Sequence, residues 1–286
     1  MNAPLRTAGL KPELEEHEDI RRMPALLGRA SGPRNMPRSR AHLTYVGDSI
    51  EVTVRALTDA VVLSQYLPPR CRLVGEPVIA VAVNQLTNLG WLAGRGYNIV
   101  NVSTQIVFEG DEDKGQGRFM LCLWENKADP ILTGREELGM PKLFAEIADP
   151  REIDGRWECS AAWEGFRFLD LELNTTDGNE SAPIQGGYAS RGVTVVHRYH
   201  QRTGEWGKAD IDQIVISHPS DSPPPRVLEH KTGVGKFAFR PARWEDMPTQ
   251  YTFINALAGL PILEFRGGQY MKTRGISNLK AFRIAK

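Results

Sequence analysis

The chain has 286 residues, 41% hydrophobic and 24% charged, an ordinary globular composition with ample apolar material for a core. Thirty-five basic and thirty-five acidic side chains cancel, so no global field draws it to nucleic acid or an anionic membrane; the expected partner is a small molecule or a second copy of the chain. The cysteines, Cys71, Cys122 and Cys159, are odd in number and lie outside any CxxC pattern, which argues against a disulfide framework or a zinc site and for a reducing, cytoplasmic setting.

Residues 1–40 are rich in proline and arginine, and their one helical candidate is "PELEEHEDIRRM" (12–23), acidic at its start and basic at its end. We read them as a mobile arm that grips a neighbouring subunit, ahead of a single domain over 41–286. No apolar core of a signal peptide occurs there, and nowhere do eighteen apolar residues run together. The chain is therefore expected to be neither exported nor membrane-spanning.

From residue 43 the sequence breaks into short runs with period-two alternation or β-branched enrichment. They are "LTYVGDSIEVTVRAL" (43–57), "PVIAVAVNQL" (77–86), "NIVNVSTQIVFEG" (98–110), "GRFMLCLWE" (117–125), "WECSAAWEGFRFLDLELN" (157–174), "VTVVHRYHQ" (193–201), "IDQIVISHP" (211–219) and "KFAFRP" (236–241). Three helices are expected, over 57–67, 128–138 and 246–260, the last ended by Pro261. Strands outnumber helices and do not alternate with them, which predicts an α+β class on a barrel or strongly curved, largely antiparallel sheet. The Pro-rich "HPSDSPPPR" (218–226) reads as a surface loop.

Several chemistries fail on inspection. "EHKTGVGKF" (229–237) has His230 where a phosphate loop needs its first glycine and Phe237 where it needs Ser or Thr. No GxSxG, HExxH or GxGxxG is present. His197 and His200, three apart on a strand, face opposite ways and make a poor metal pair. Glu136 and Glu137 diverge by about 100° on a helix and cannot flank one bond; Glu136 reads as a structural partner of Arg135.

Lys142 is the exception. It stands between Met140-Pro141 and Leu143-Phe144, an apolar collar around a residue that is seldom buried without a partner. A lysine attacks a carbonyl only as the neutral amine, and desolvation favours that form. A bland alternative is a stem that covers apolar neighbours while its charge stays in water.

The segment "WENKADPILTGREELGMPKLFAEI" (124–147) holds Gly134-Arg135-Glu136 and then Pro141-Lys142, eight residues from the glycine to the lysine. It resembles the acetoacetate decarboxylase family, whose hallmark is a Gly-Arg-Glu segment followed by a Pro-Lys that forms a Schiff base. Residues 243–272 and 193–216 are similar to the family's closing helix and strand and to its middle strands, so the resemblance spans roughly 43–272. It implies an α+β fold with a cone-shaped antiparallel β-barrel flanked by a few helices, usually a homo-oligomer, with the lysine projecting into a closed apolar interior. It also implies a keto acid or other ketone as substrate, with no metal and no organic cofactor. Leu143 stands where the decarboxylase has a second lysine, which leaves desolvation alone to favour the neutral amine. The facing stretch 86–102 holds no carboxylate and offers Arg95 instead, while the family's arginine early in the first strand is missing, with Gly47 or Asp48 near its position. The expected site is Lys142 as nucleophile with Arg95, Tyr97, Met120 and Met140 around the substrate. The expected function is a Schiff-base-forming, decarboxylase-like lyase. The alternatives are an aldolase or dehydratase on a keto acid, or a non-catalytic barrel that binds an apolar ligand.

Overall fold

The computed structural model describes residues 22–23, 32–33, 36–43, 46–176, 193–218, 224–275 and 281–286. The helix expected over 12–23 lies outside the described residues except for Arg22 and Met23, as do most of the arm and residues 219–223 of the Pro-rich loop. In chain order come β1 (Asp48–Leu57), α1 (Ala60–Ser64), β2 (Cys71–Leu73), β3 (Val78–Leu89), β4 (Arg95–Glu109), β5 (Lys114–Glu125) and α2 (Ala128–Thr133). They are followed by β6 (Lys142–Phe144), β7 (Glu146–Ile147), β8 (Arg151–Ile153), β9 (Arg156–Trp163), β10 (Phe166–Asn174), β11 (Val193–Gln201) and β12 (Ala209–Ser217). The chain closes with β13 (Arg226–Phe239), α3 (Tyr251–Ala258), β14 (Glu264–Arg274) and β15 (Phe282–Ile284).

Each expected run holds a strand, and "WECSAAWEGFRFLDLELN" holds two, because Glu164 and Gly165 take positive φ of 46° and 82° and fold β9 back on β10. The helices are shorter than their periodicity suggests. α1 begins after Asp59, whose carboxylate caps it by accepting from Val62 N at 2.9 Å.

The strands run β15-β12-β11-β5-β4-β3-β1-β14-β13-β10-β9-β7, with β2, β6 and β8 alongside. Pairing is antiparallel except where β11 and β6 add parallel to β5. The path is strongly curled. From β5 to β10 is six ladder steps, about 29 Å in a flat sheet, yet the Trp124 and Phe168 rings are 5.2 Å apart. Among the described residues the ladder itself is not closed, but β6 pairs β5 and β7 pairs β9, so the continuous segment 142–147 spans the gap. Lys142 lies at that seam.

Alternation gives the curled sheet two faces. Val52, Val54, Val81, Val83, Val100, Val102 and Trp124 build the main core with β9, β10 and α3. The residues between them point the other way, and the lysine is among these.

Candidate active site

The register aligns three rows on this second face. One is Glu51–Asn84–Ile99–Glu125, the next Gln269–Thr53–Ala82–Asn101–Leu123–Lys142, and the third Arg55–Ala80–Ser103–Met120. A polar face of a sheet is ordinarily wet. Here Glu51, Thr53, Arg55, Asn84, Asn101, Ser103, Gln269, Glu125 and Lys142 are all buried. Glu51 accepts from Asn84 Nδ2 and Thr53 Oγ1, both at 3.0 Å. Burial pushes the Arg55 guanidinium below its usual range, and the charge of Glu51 opposes that shift.

Lys142 is 8% exposed, and its Nζ lies 2.7 Å from Oε1 of Glu125, which is 0% exposed, and donates to Pro130 O at 3.0 Å. Burial pushes the Glu125 carboxyl above the usual carboxylate range; the adjacent ammonium pulls the other way. Glu125 Oε2 has no hydrogen-bond partner.

The Gly-Arg-Glu segment is explained by what each residue touches. A Cβ on Gly134 would stand 2.4 Å from Lys142 Cδ and 2.8 Å from its Nζ, so a larger residue there would push the amine from its present position. Arg135 Nη1 donates to Lys142 O at 2.8 Å and fixes the backbone that carries the amine. Glu136 pairs with Arg22 Nε at 3.0 Å, not with Arg135 as the sequence suggested, because Arg135 is already turned towards β6. Arg22 also donates to Thr133 Oγ1 and Glu137 Oε1, so this arm residue grips its own chain over α2. Residues 134–138 form a π-type turn that ends at Gly139, whose φ of 72° suits glycine. From β11, Arg198 donates to Glu136 O, and His200 Nε2 lies 3.1 Å from Arg135 O.

The other expected pocket residues divide. Met120 is buried with Leu123, the ladder partner of Lys142, and Met140 packs on the same cluster. Tyr97 is half-buried, edge-on to Trp91, and lines a cleft of about 270 Å³ with Asn98, Asn126, Lys127 and Asp149. Arg95 is not brought to the lysine: its guanidinium is exposed, donates to Leu92 O at 3.3 Å, and sits six residues before Asn101 on β4, about 20 Å along the strand. What stretch 86–102 does turn towards the lysine is Asn101, and the carboxylates come from β1 and β5 instead. β1 also supplies an arginine, Arg55, near its end rather than its beginning. Nor is the amine's surrounding the apolar interior expected, since its nearest partners are a carboxylate and a carbonyl. Among the described residues no group of three or more His, Cys, Asp or Glu side chains is arranged to hold a metal ion, and no helix is long and apolar enough to cross a membrane.

The sequence profile of the family described as "Acetoacetate decarboxylase (ADC)" matches residues 30–275. Among solved structures, the acetoacetate decarboxylase of Legionella pneumophila is similar with a TM-score of 0.65 at 14% identity, over 85% of this chain and 87% of that one. MppR, an enduracididine biosynthesis enzyme complexed with the condensation product of pyruvate and imidazole 4-carboxaldehyde, gives 0.62 at 17% identity over 84% and 88%. An acetoacetate decarboxylase-like enzyme from Sphingomonas wittichii RW1 gives 0.62 at 17% over 85% and 92%. No curated protein matches the sequence.

Proposed function

Because the chain belongs to the acetoacetate decarboxylase family, we propose that it is a Schiff-base-forming, decarboxylase-like lyase that acts on a keto acid or other ketone through Lys142. The observation that carries this reading is the buried contact of Lys142 Nζ with Glu125 Oε1 at 2.7 Å. An amine is nucleophilic only without its extra proton, and a carboxylate made more basic by burial is a suitable acceptor for it. With the proton on Glu125, Nζ attacks the carbonyl carbon and the C=O electron pair moves to oxygen. That oxygen is protonated, and loss of water leaves an iminium. The iminium takes up the electron pair of the bond from its α-carbon to the carboxylate as that bond breaks and carbon dioxide leaves; the enamine carbon is then protonated, and water hydrolyses the new iminium to free Lys142 and the ketone.

The face around the amine favours a polar ligand. Asn101 is buried there with neither end of its carboxamide paired, and covering an unpaired amide with hydrocarbon alone is costly, which weighs against an apolar cargo. The condensation product named for MppR keeps aldol-type bond making or breaking beside decarboxylation as a second reading of the same iminium. The test is to incubate the protein near neutral pH with a panel of 2-oxo and 3-oxo acids, reduce with borohydride, and map adducts by peptide mass spectrometry. An adduct at Lys142 that disappears in Lys142→Ala is expected; labelling confined to exposed lysines with every ketone overturns the reading.

A further inference from the structure

We propose that Asn101 is a substrate-binding residue of this site, and that the ketone it receives carries a hydroxyl group remote from the reacting carbonyl. The inference rests on the reading of Lys142 as the nucleophile. Asn101 is 1% exposed, yet neither its Nδ2 nor its Oδ1 has a hydrogen-bond partner. Other buried amides here are engaged: Asn84 donates to Glu51, Gln250 bridges Trp124 and Phe144 O, and Asn98 donates to Ile147 O and Asp149. Buried polar groups are almost always paired, so a carboxamide orphaned at both ends calls for a missing partner.

Its position says what that partner is attached to. Asn101 pairs with Leu123, and Leu123 with Lys142, so the two backbones are about 10 Å apart on one face. Two ladder steps on one face leave room for the amide to meet a part of the molecule other than the carbonyl that the amine holds. On its other side Asn101 pairs with Ala82, which is too small to cover it. A carboxylate could take only the Nδ2 donors and would set its charge against Oδ1. A hydroxyl both accepts and donates, and so matches both ends. A site built this way rejects the analogue without the hydroxyl, because binding it leaves the amide unpaired.

The probes are 4-hydroxy-2-butanone and 2-butanone, and the readout is the half-saturating concentration for borohydride-trapped adduct on Lys142. The wild-type chain is expected to favour the hydroxyketone by about tenfold or more, the effect of one well-formed hydrogen bond to a buried site. In Asn101→Leu the ratio of the two half-saturating concentrations is expected to fall to within about threefold of one. Thermal unfolding checks that the variant folds, and if it melts well below wild type, Asn101→Ala is read the same way. A preference that persists in the variants overturns the role of Asn101. No preference in the wild type overturns the hydroxyl. Absence of any Lys142 adduct, with either ketone and with the oxo acids, overturns the nucleophile and this inference with it.

Discussion

Lys142 was legible as an unusual lysine, but its partner was not. The collar that drew attention to it surrounds the chain position and not the amine: Leu143 packs on the opposite face and Phe144 is 46% exposed. Alternation along a strand separates sequence neighbours, so the residue that meets Nζ comes from the adjacent ladder, as Glu125. Glu125 has a consequence for stability. Its carboxyl is raised by burial above its ordinary value of 4.5, with Lys142 opposing. As pH rises past that ordinary value, unfolded chains release this proton before folded ones do, and the contribution of this group to stability falls until the folded carboxyl has ionised as well. Urea unfolding of Glu125→Gln and wild type across pH 4.5–8 should show the variant losing less stability with rising pH. The difference in slope can reach about 1.4 kcal/mol per pH unit for one proton. Parallel profiles would mean that the carboxyl titrates alike in both states.

At the scale of elements, the motif joins a turn to a strand: the π-type turn 134–138 meets β6 through Gly134, against the Lys142 side chain, and through Arg135, bonded to the Lys142 carbonyl. Its φ of −63° is ordinary for any helical residue, so backbone strain does not demand glycine, and alanine would by helix propensity be better by about 1 kcal/mol. The demand comes from the lysine, whose Cδ, Cε and Nζ a Cβ would meet at 2.4–2.8 Å. Gly134→Ala should therefore cost about 1–3 kcal/mol, as overpacking does, and lower the rate of adduct formation at Lys142 at least about tenfold by displacing Nζ from Glu125. Adding Lys142→Ala should remove most of the stability cost, a coupling that a double-mutant cycle measures; additive effects would show that the glycine serves some other neighbour. The strands taught the opposite lesson. "IEVTVRAL" alternates Glu51, Thr53 and Arg55 with Val52, Val54 and Ala56, and such a pattern ordinarily means one dry face and one wet. It marks β1 but does not say that both of its faces are dry, so the burial of Glu51, Thr53 and Arg55 is not legible in it.

For the whole molecule, local periodicity could find strands but not the order in which they meet. β1 pairs with β14 in a register that matches Asp48 to Arg274, and nothing near either residue encodes the other. The curl follows from that order, and it brings Trp124 of β5 onto Phe168 of β10, with Trp124 Nε1 donating to Gln250 Oε1 at 2.7 Å. Gln250 in turn donates to Phe144 O at 3.1 Å at the end of β6, so one buried amide ties the core to the strand of the lysine. Trp124→Phe keeps an aromatic ring but removes the donor and part of the volume, leaving Gln250 Oε1 unpaired. A loss of about 2–3 kcal/mol in urea unfolding is expected. The amine, on the other face of β5, should still be trapped by ketone and borohydride with a half-saturation within about threefold of wild type. Loss of trapping in a variant that remains folded would mean that the two faces are mechanically coupled through Gln250 and β6, and that the core helps hold Lys142 against Glu125 rather than merely supporting the sheet between them.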